Sequence, residues 1–281
     1  MPSATFKADL RTFPHFFSPQ DSAKVPSLRE MVEMWRSKSL RLISLTACHT
    51  ATGGIDHRFE DYMNQLKGTE GFEVKDQRDK GHITLTNIYA GVPVTILNSQ
   101  QVRTSWEGMP IDINIMGSPK IISPTRDLYE TIREARDING IISLCHINEN
   151  CGLKLEKALE LYYGGKVDAI EVQAKSPATG KNVREALELQ GIKPLAVTGG
   201  HDYRQAGTSY IELPSFPQDF SIAWLRHEIK RGGFTPHYGS IGKLSRFLYR
   251  DRHIIASTLG NYLAGGKRRE EFLKAVGLRR K

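Results

Sequence analysis

Long apolar runs are missing from this 281-residue chain. Stretches such as Ile141 to Cys145 and Leu195 to Val197 have the length of core strands and fall far short of a membrane span. The N-terminal region lacks a basic segment followed by an apolar run, so no export signal is read and the expectation is a cytoplasmic protein without a membrane partner. Cysteine is scarce. Cys48, Cys145 and Cys151 are odd in number and stand in no paired metal spacing, which argues against a disulfide framework and for free thiols in a reducing compartment. Low-complexity linkers and internal repeats are absent too, in keeping with one large domain; two full ones would be cramped.

What is present is ordinary for a globular chain: 39% hydrophobic and 25% charged residues, enough to exclude a largely disordered protein. The charge is unbalanced, at +8 with a pI near 9.3, which fits attraction to nucleic acid, an acidic protein partner or a phosphorylated ligand without choosing among them. The excess lies toward the C-terminus. There Arg246, Arg250, Arg252, Lys267, Arg268 and Arg269 are interleaved with Phe247, Tyr249 and Tyr262 and form the candidate nucleic-acid-binding set, the aromatics either stacking on bases or packing in a core. Solvated helix faces with a frayed tail are the plainer account of the same residues. Gly239 to Ser245 lacks the Walker spacing and reads as a loop entering a helix.

Short β-rich runs alternate with amphipathic stretches, the form of a β/α protein. Strands are expected at Thr5 to Leu10, Leu42 to Thr46, Val94 to Leu97, Ile111 to Met116, Ile141 to Leu144, Ala169 to Val172, Leu195 to Val197 and Tyr210 to Leu213. Leu28, Met31, Val32 and Trp35 mark a buried helical stripe over Leu28 to Ser37. Comparable stripes predict helices at Asp56 to Leu66, Thr125 to Asn139, Leu153 to Tyr163 and Asn182 to Gln190. The polar stretch Gly68 to Gly81 reads as an exposed loop. Beyond Pro214 the pattern becomes helical alone, which divides the chain into a barrel over 1–214 and a basic helical extension over 215–281 packed on it.

Several segments carry potential chemistry in a fixed order. They are Ala8-Asp9-Leu10-Arg11-Thr12-Phe13-Pro14-His15; Thr46-Ala47-Cys48-His49; Val94 to Val102 with Gln101, followed across Glu107-Gly108 by Ile111 to Gly117 with Asn114; Leu144-Cys145-His146; Ala169-Ile170-Glu171-Val172; and Thr198-Gly199-Gly200-His201-Asp202-Tyr203-Arg204. In that order they resemble the motif regions of the PHP (polymerase and histidinol phosphatase) family. The resemblance implies an α/β fold, a PHP-like distorted β/α barrel with additional C-terminal helices. It also implies a multinuclear metal site at the strand ends that activates water for phosphoester hydrolysis.

Against that pattern, His146 and Asp202 are retained, while Arg11, Phe13, Ala47, Cys48, Gln101, Asn114 and Arg204 depart from it. A guanidinium and a phenyl ring offer no lone pair to a metal, and the amides keep hydrogen bonding while losing the charge or ring nitrogen that holds a cation. The expectation is a non-catalytic PHP-like binding subunit with no cofactor. In one reading Arg11, His201 and Arg204 hold an anion; in the other the arginines pair with Asp9, Asp202 or Glu171 in a buried ion-pair network. The alternative is a metal-dependent phosphoesterase with an altered ligand set, Cys48, His49, His146 and Asp202 on zinc or manganese, with His146 and Asp202 catalytic.

Overall fold

The structure, a computed structural model, describes residues 5–12, 28–48, 71–87, 91–149, 151–173, 177–199 and 205–239. By compactness the chain divides into Met1–Ser240 and Ile241–Lys281, and every described residue belongs to the first unit. Its elements run β1 (Phe6–Thr12), α1 (Leu28–Ser37), β2 (Leu40–Cys48), β3 (Phe72–Gln77), β4 (His82–Asn87), β5 (Pro93–Trp106), β6 (Met109–Met116), α2 (Leu128–Asp137), β7 (Ile141–Leu144), α3 (Leu155–Tyr163), β8 (Ala169–Gln173), α4 (Pro177–Leu189), β9 (Leu195–Val197), β10 (Tyr210–Leu213), α5 (Ile222–Lys230) and β11 (Thr235–His237).

The strands form one mixed sheet in the order β11-β10-β1-β2-β5-β6-β7-β8-β9, with the β3–β4 hairpin branching from β5. β1, β2 and β5 are parallel, β6 reverses, and β7, β8 and β9 resume the first direction. The sheet curls until its ends nearly meet. Gly199 N donates to the Arg11 carbonyl at 3.0 Å, and Thr198 and Ser209 exchange hydrogen bonds at 3.1 and 3.2 Å. Asp9 fastens this seam, its buried carboxylate accepting from Thr198 N at 3.2 Å and Gly207 N at 2.8 Å.

Alternation in the strands sorts side chains into two layers. Ile111, Ile113 and Ile115 of β6 face outward, where they pack with Leu128, Ile132 and Ala135 of α2, Leu161 of α3 and Leu187 of α4. The inward set comprises Leu10, Leu97, Met116, Ile141, Ala169 and Leu195, and it meets Ile222, Leu225 and Ile229 of α5, which plugs the barrel floor. Helix α2 shows why such segments form. Leu128, Thr131, Ile132 and Ala135 are buried at three-four spacing, and the Asp127 side chain caps the first turn by accepting from Tyr129 N at 2.8 Å.

The expected barrel strands are all found, and α1 spans the expected residues. Three strands were not anticipated, one of them β4 (His82–Asn87), which pairs with both β3 and β5. Phe72–Gln77 lies within the stretch expected to be a loop, and it forms an edge strand whose middle residues are exposed; charged residues at an edge discourage further pairing while hiding the strand's periodicity. Thr235–His237 pairs with β10 where only helices were expected, a three-residue edge strand holding Pro236, too short and too polar to show a pattern.

A candidate functional site at the barrel mouth

Because the parallel strands point one way, their C-terminal ends gather inward-facing residues at one rim. Strand register builds the row. Cys48 pairs with Gln101, Gln101 with Asn114, Asn114 with Ser143, and Ser143 with Ala169, leaving Glu171 one inward position nearer the rim. The β5–β6 turn that sets this register is a two-residue loop, Glu107 and Gly108, with φ of 51° and 76°, the left-handed pair of a type I′ turn.

Arg11 enters the row through an irregularity. The β1–β2 register slips between Asp9 and Thr12, inserting one extra residue into β1, and this bulge turns both Leu10 and Arg11 toward the interior. The Arg11 side chain is fully buried, with Nη1 donating to Glu171 Oε2 at 3.0 Å, Nη2 donating to Gln101 Oε1, and Nη2 also lying 3.0 Å from His146 Nε2. A guanidinium carries donors only, so Nε2 accepts; the ring proton therefore sits on Nδ1, which donates to Glu149 Oε2 at 2.9 Å. The lone pair with which His146 would hold a metal is directed at Arg11.

The network continues on both sides. Glu171 Oε1 accepts from Asn114 Nδ2 at 2.9 Å and from the Ser143 hydroxyl. Gln101 Nε2 donates to Asp112 Oδ2 at 2.8 Å, and Arg103 closes on Asp112 with two hydrogen bonds of 2.7 and 2.8 Å. Burial alone would raise the Asp112 pKa, but the hydrogen bond and charge of Arg103, aided by the hydrogen bond from Gln101, hold it below the usual value. His146 itself adopts a left-handed backbone, φ 59°, packed so closely that a Cβ on Gly152 would lie 1.7 Å from its carbonyl oxygen. Beside it, Gln173 is 7% exposed and neither amide atom has a partner among the described residues; it borders a cavity of about 20 Å³ with Glu149, Thr179 and Gly180.

Of the residues singled out from sequence, Arg11 and His146 are brought into contact, with Gln101, Asn114 and Glu171 in the same network. Cys48 is described in its backbone only. Phe13, His15, His49, His201, Asp202 and Arg204, like Arg246, Arg250, Arg252, Lys267, Arg268 and Arg269, lie outside the described residues. Sequence reasoning passed over Arg103, Asp112, Ser143, Cys151 and Gln173. The available signal was alternation: Asp112 and Asn114 fall between the outward isoleucines of β6 and must face inward.

The described residues of the mouth do not fit a multinuclear metal centre. Glu171 and the His146 lone pair are committed to a guanidinium, and Gln101 and Asn114 are neutral. A single ion is a different matter. Asp112, His146 and Cys151 place oxygen, nitrogen and sulfur atoms within 4.8 Å of one another, a donor set suited to zinc, although the first two are also held by the arginines.

Solved structures share this architecture. The chain superposes on a two-domain protein from Bacteroides vulgatus ATCC 8482 described as containing a predicted PHP-like metal-dependent phosphoesterase, with a TM-score of 0.53 at 13% identity, over 84% of this chain and 65% of that one. The fold is PHP-like. The same barrel is matched by PsfC from Pseudomonas syringae PB-5123, with a TM-score of 0.56 at 16% identity over 90% of this chain and 99% of that one. It is matched also by the lesion-specific endonuclease PfuEndoQ from Pyrococcus furiosus, with a TM-score of 0.52 at 14% identity over 83% of this chain and 58% of that one. The chain thus spans slightly under two thirds of the Bacteroides protein and rather less of the endonuclease. No family model and no curated protein sequence matches it.

Proposed function

We propose that the protein is a non-catalytic PHP-like binding protein, in which a resident guanidinium occupies the barrel mouth where the family resemblance implies metal ions. The observation that carries this reading is Arg11, fully buried and shared among Glu171, Gln101 and His146. A divalent ion placed a few ångströms from that guanidinium would be repelled by roughly several kcal/mol. Loss of the cations removes the means of lowering a water's pKa and of neutralising charge on phosphorus. The role left to the fold is recognition. The net charge of +8 and the basic run from Arg246 to Arg269 favour nucleic acid or a phosphorylated ligand, with His201 and Arg204 as further anion-binding candidates; a protein partner is the other occupant compatible with the same role.

The test is metal content of protein purified without chelator, paired with hydrolysis of bis(p-nitrophenyl) phosphate in added manganese or zinc and with single-stranded DNA binding across a salt series. The expected result is sub-stoichiometric metal, no turnover, and binding that weakens steeply with salt. Near-stoichiometric metal together with turnover would overturn it.

The second reading, a metal-dependent phosphoesterase with an altered ligand set, is favoured by the convergence of Asp112, His146 and Cys151. A thiol and an imidazole prefer zinc to manganese. This reading requires zinc-dependent turnover that disappears in both His146→Ala and Cys151→Ala, and activity surviving in either variant would exclude these three as its ligands.

A further inference from the structure

At the opposite end of the barrel from Arg11, a cleft of about 310 Å³ opens between the β3–β4 hairpin and the loop that precedes α5, lined among others by Arg41, Thr84, Thr86, Pro93, Phe216 and Phe220. Its place is fixed by the strands: Arg41 lies at the start of β2 and Pro93 opens β5, both at N-terminal strand ends. The volume is that of a small-ligand pocket.

Arg41 supplies this cleft with a partly buried cation. Its guanidinium is half-buried, stacks at 4.8 Å on the Phe216 ring, and makes one long hydrogen bond, Nε to the Pro93 carbonyl at 3.4 Å. No carboxylate lies within ion-pair distance of it among the described residues. Two other partly buried arginines are neutralised, Arg103 by Asp112 at 2.7 Å and Arg136 by Asp168 at 2.7 Å. Nor does the cleft's own acid serve, since Glu73 is exposed and Lys75 on the same wall is paired with Asp219 at 3.5 Å. Burial pushes the Arg41 pKa down, as expected of a cation partly stripped of water. A desolvated cation facing an open cleft is stabilised by an anion that enters it. The walls beside it divide by chemistry: Phe216, Phe220 and Pro93 are apolar, while Thr84 and Thr86 present hydroxyls.

We propose that this cleft is a second binding site, taking a small organic anion whose phosphonate, phosphate or carboxylate group meets Arg41 and whose ring or apolar body lies along Phe216 and Pro93. It is separate from the mouth and independent of whether the mouth is catalytic.

Two probes test the proposal on the full-length chain: inorganic phosphate, which carries the anion alone, and phenylphosphonate, which adds a ring and has no ester bond to cleave. Both should shift the Arg41 Nε–Hε NMR resonance to saturation. Phenylphosphonate should do so at roughly fivefold lower concentration, through the apolar surface it buries. Arg41→Gln should weaken both by about tenfold or more, and Phe216→Leu should remove only the preference for phenylphosphonate. An Arg41 resonance that neither probe moves in the unaltered protein overturns the site, and so does unchanged affinity in Arg41→Gln. Equal affinity for the two probes overturns the apolar half of the assignment. The resonance is read on the native sequence, so the outcome does not depend on a variant folding.

Discussion

The barrel carries a buried charge cluster at each end, and the two are built on opposite plans. At the mouth one cation, Arg11, is divided among a carboxylate, an amide and an imidazole, all of them buried. At the floor one carboxylate, Asp168, is divided among cations: Arg136 donates to it at 2.8 and 2.7 Å, while Arg226 and Lys230 of α5 approach to 3.7 and 3.6 Å. The mouth balances its charge within a dry shell. The floor keeps an excess of positive charge and leaves it in contact with water, the Lys230 side chain being 50% exposed. A buried pair of full charges tolerates the loss of a partner badly, whereas half-exposed charges are rescued by solvent and salt. The first cluster therefore fixes a geometry, and the second attaches a helix.

Removing Arg11 should produce the largest effect. Arg11→Ala leaves Glu171 buried without its cation, and the expected loss in urea denaturation is about 3–5 kcal/mol, unchanged between low and high salt. Arg11→Lys should recover part of this, because an ammonium is a point charge and cannot span Glu171, Gln101 and His146 as a planar fork does. A loss under 1 kcal/mol for Arg11→Ala would mean the cluster does not hold the mouth together, and with it would go the claim that a guanidinium has replaced metal ions structurally.

Two residues earlier on the same strand, Asp9 shows a buried carboxylate without a counter-ion among the described residues. Desolvation raises its pKa from 3.8 to about 6, against the pull of backbone donors from Gly207, Thr198 and Arg11. The sign follows from linkage. Below about pH 3.8 both states are protonated and the contribution to stability is fully present; between there and about pH 6 the unfolded chain releases its proton while the native state retains it, so stability falls; above that range the slope vanishes. The shift corresponds to about 3 kcal/mol. Unfolding free energies measured from pH 4 to pH 7 should therefore decline more steeply in the native protein than in Asp9→Asn, which removes the titrating group. Identical slopes would place the Asp9 pKa near its ordinary value, with the hydrogen bonds of the seam offsetting its burial.

The comparison also marks what could be read from sequence. The eight barrel strands and α1 were legible because buried strands are short apolar runs and α1 carries a regular stripe of Met31, Val32 and Trp35. The ion pair between Arg11 and Glu171 was one of two outcomes weighed from the sequence, and it is the one found. What was hidden depends on register. The bulge that turns Arg11 inward beside Leu10 inserts a single residue, which leaves no trace in composition. The convergence of Asp112, His146 and Cys151 joins a strand to a loop, and the Asp168 cluster joins α2 and α5 to a strand end; neither has a local spacing to recognise. The β3 edge strand was missed for the opposite reason, its charged exposed residues looking like a loop.

At the floor, Asp168→Asn should cost about 2–3 kcal/mol, since the hydrogen bonds from Arg136 and from Ile142 N at 2.9 Å survive in part while three cations lose their shared acid. In contrast with Arg11→Ala, this loss should shrink as salt is added, because counter-ions reach the half-exposed Lys230. Salt dependence in both variants, or in neither, would erase the distinction drawn between the two clusters.

The smallest expected effect isolates the helix from the charges. Ser221 caps α5, its hydroxyl accepting from Trp224 N at 3.1 Å, and Ser221→Ala should lower stability by about 1 kcal/mol. If α5 is held chiefly by Ile222, Leu225 and Ile229 against the inner core, the cap and the Asp168 cluster act on separate parts of it, and the double variant Ser221→Ala with Asp168→Asn should lose the sum of the single losses. A double loss clearly smaller than that sum would show that fraying the first turn already releases Arg226 and Lys230. The floor cluster would then depend on the helix it is taken to attach, whereas Arg11 at the mouth, mounted on a central strand between β10 and β2, has no such dependence.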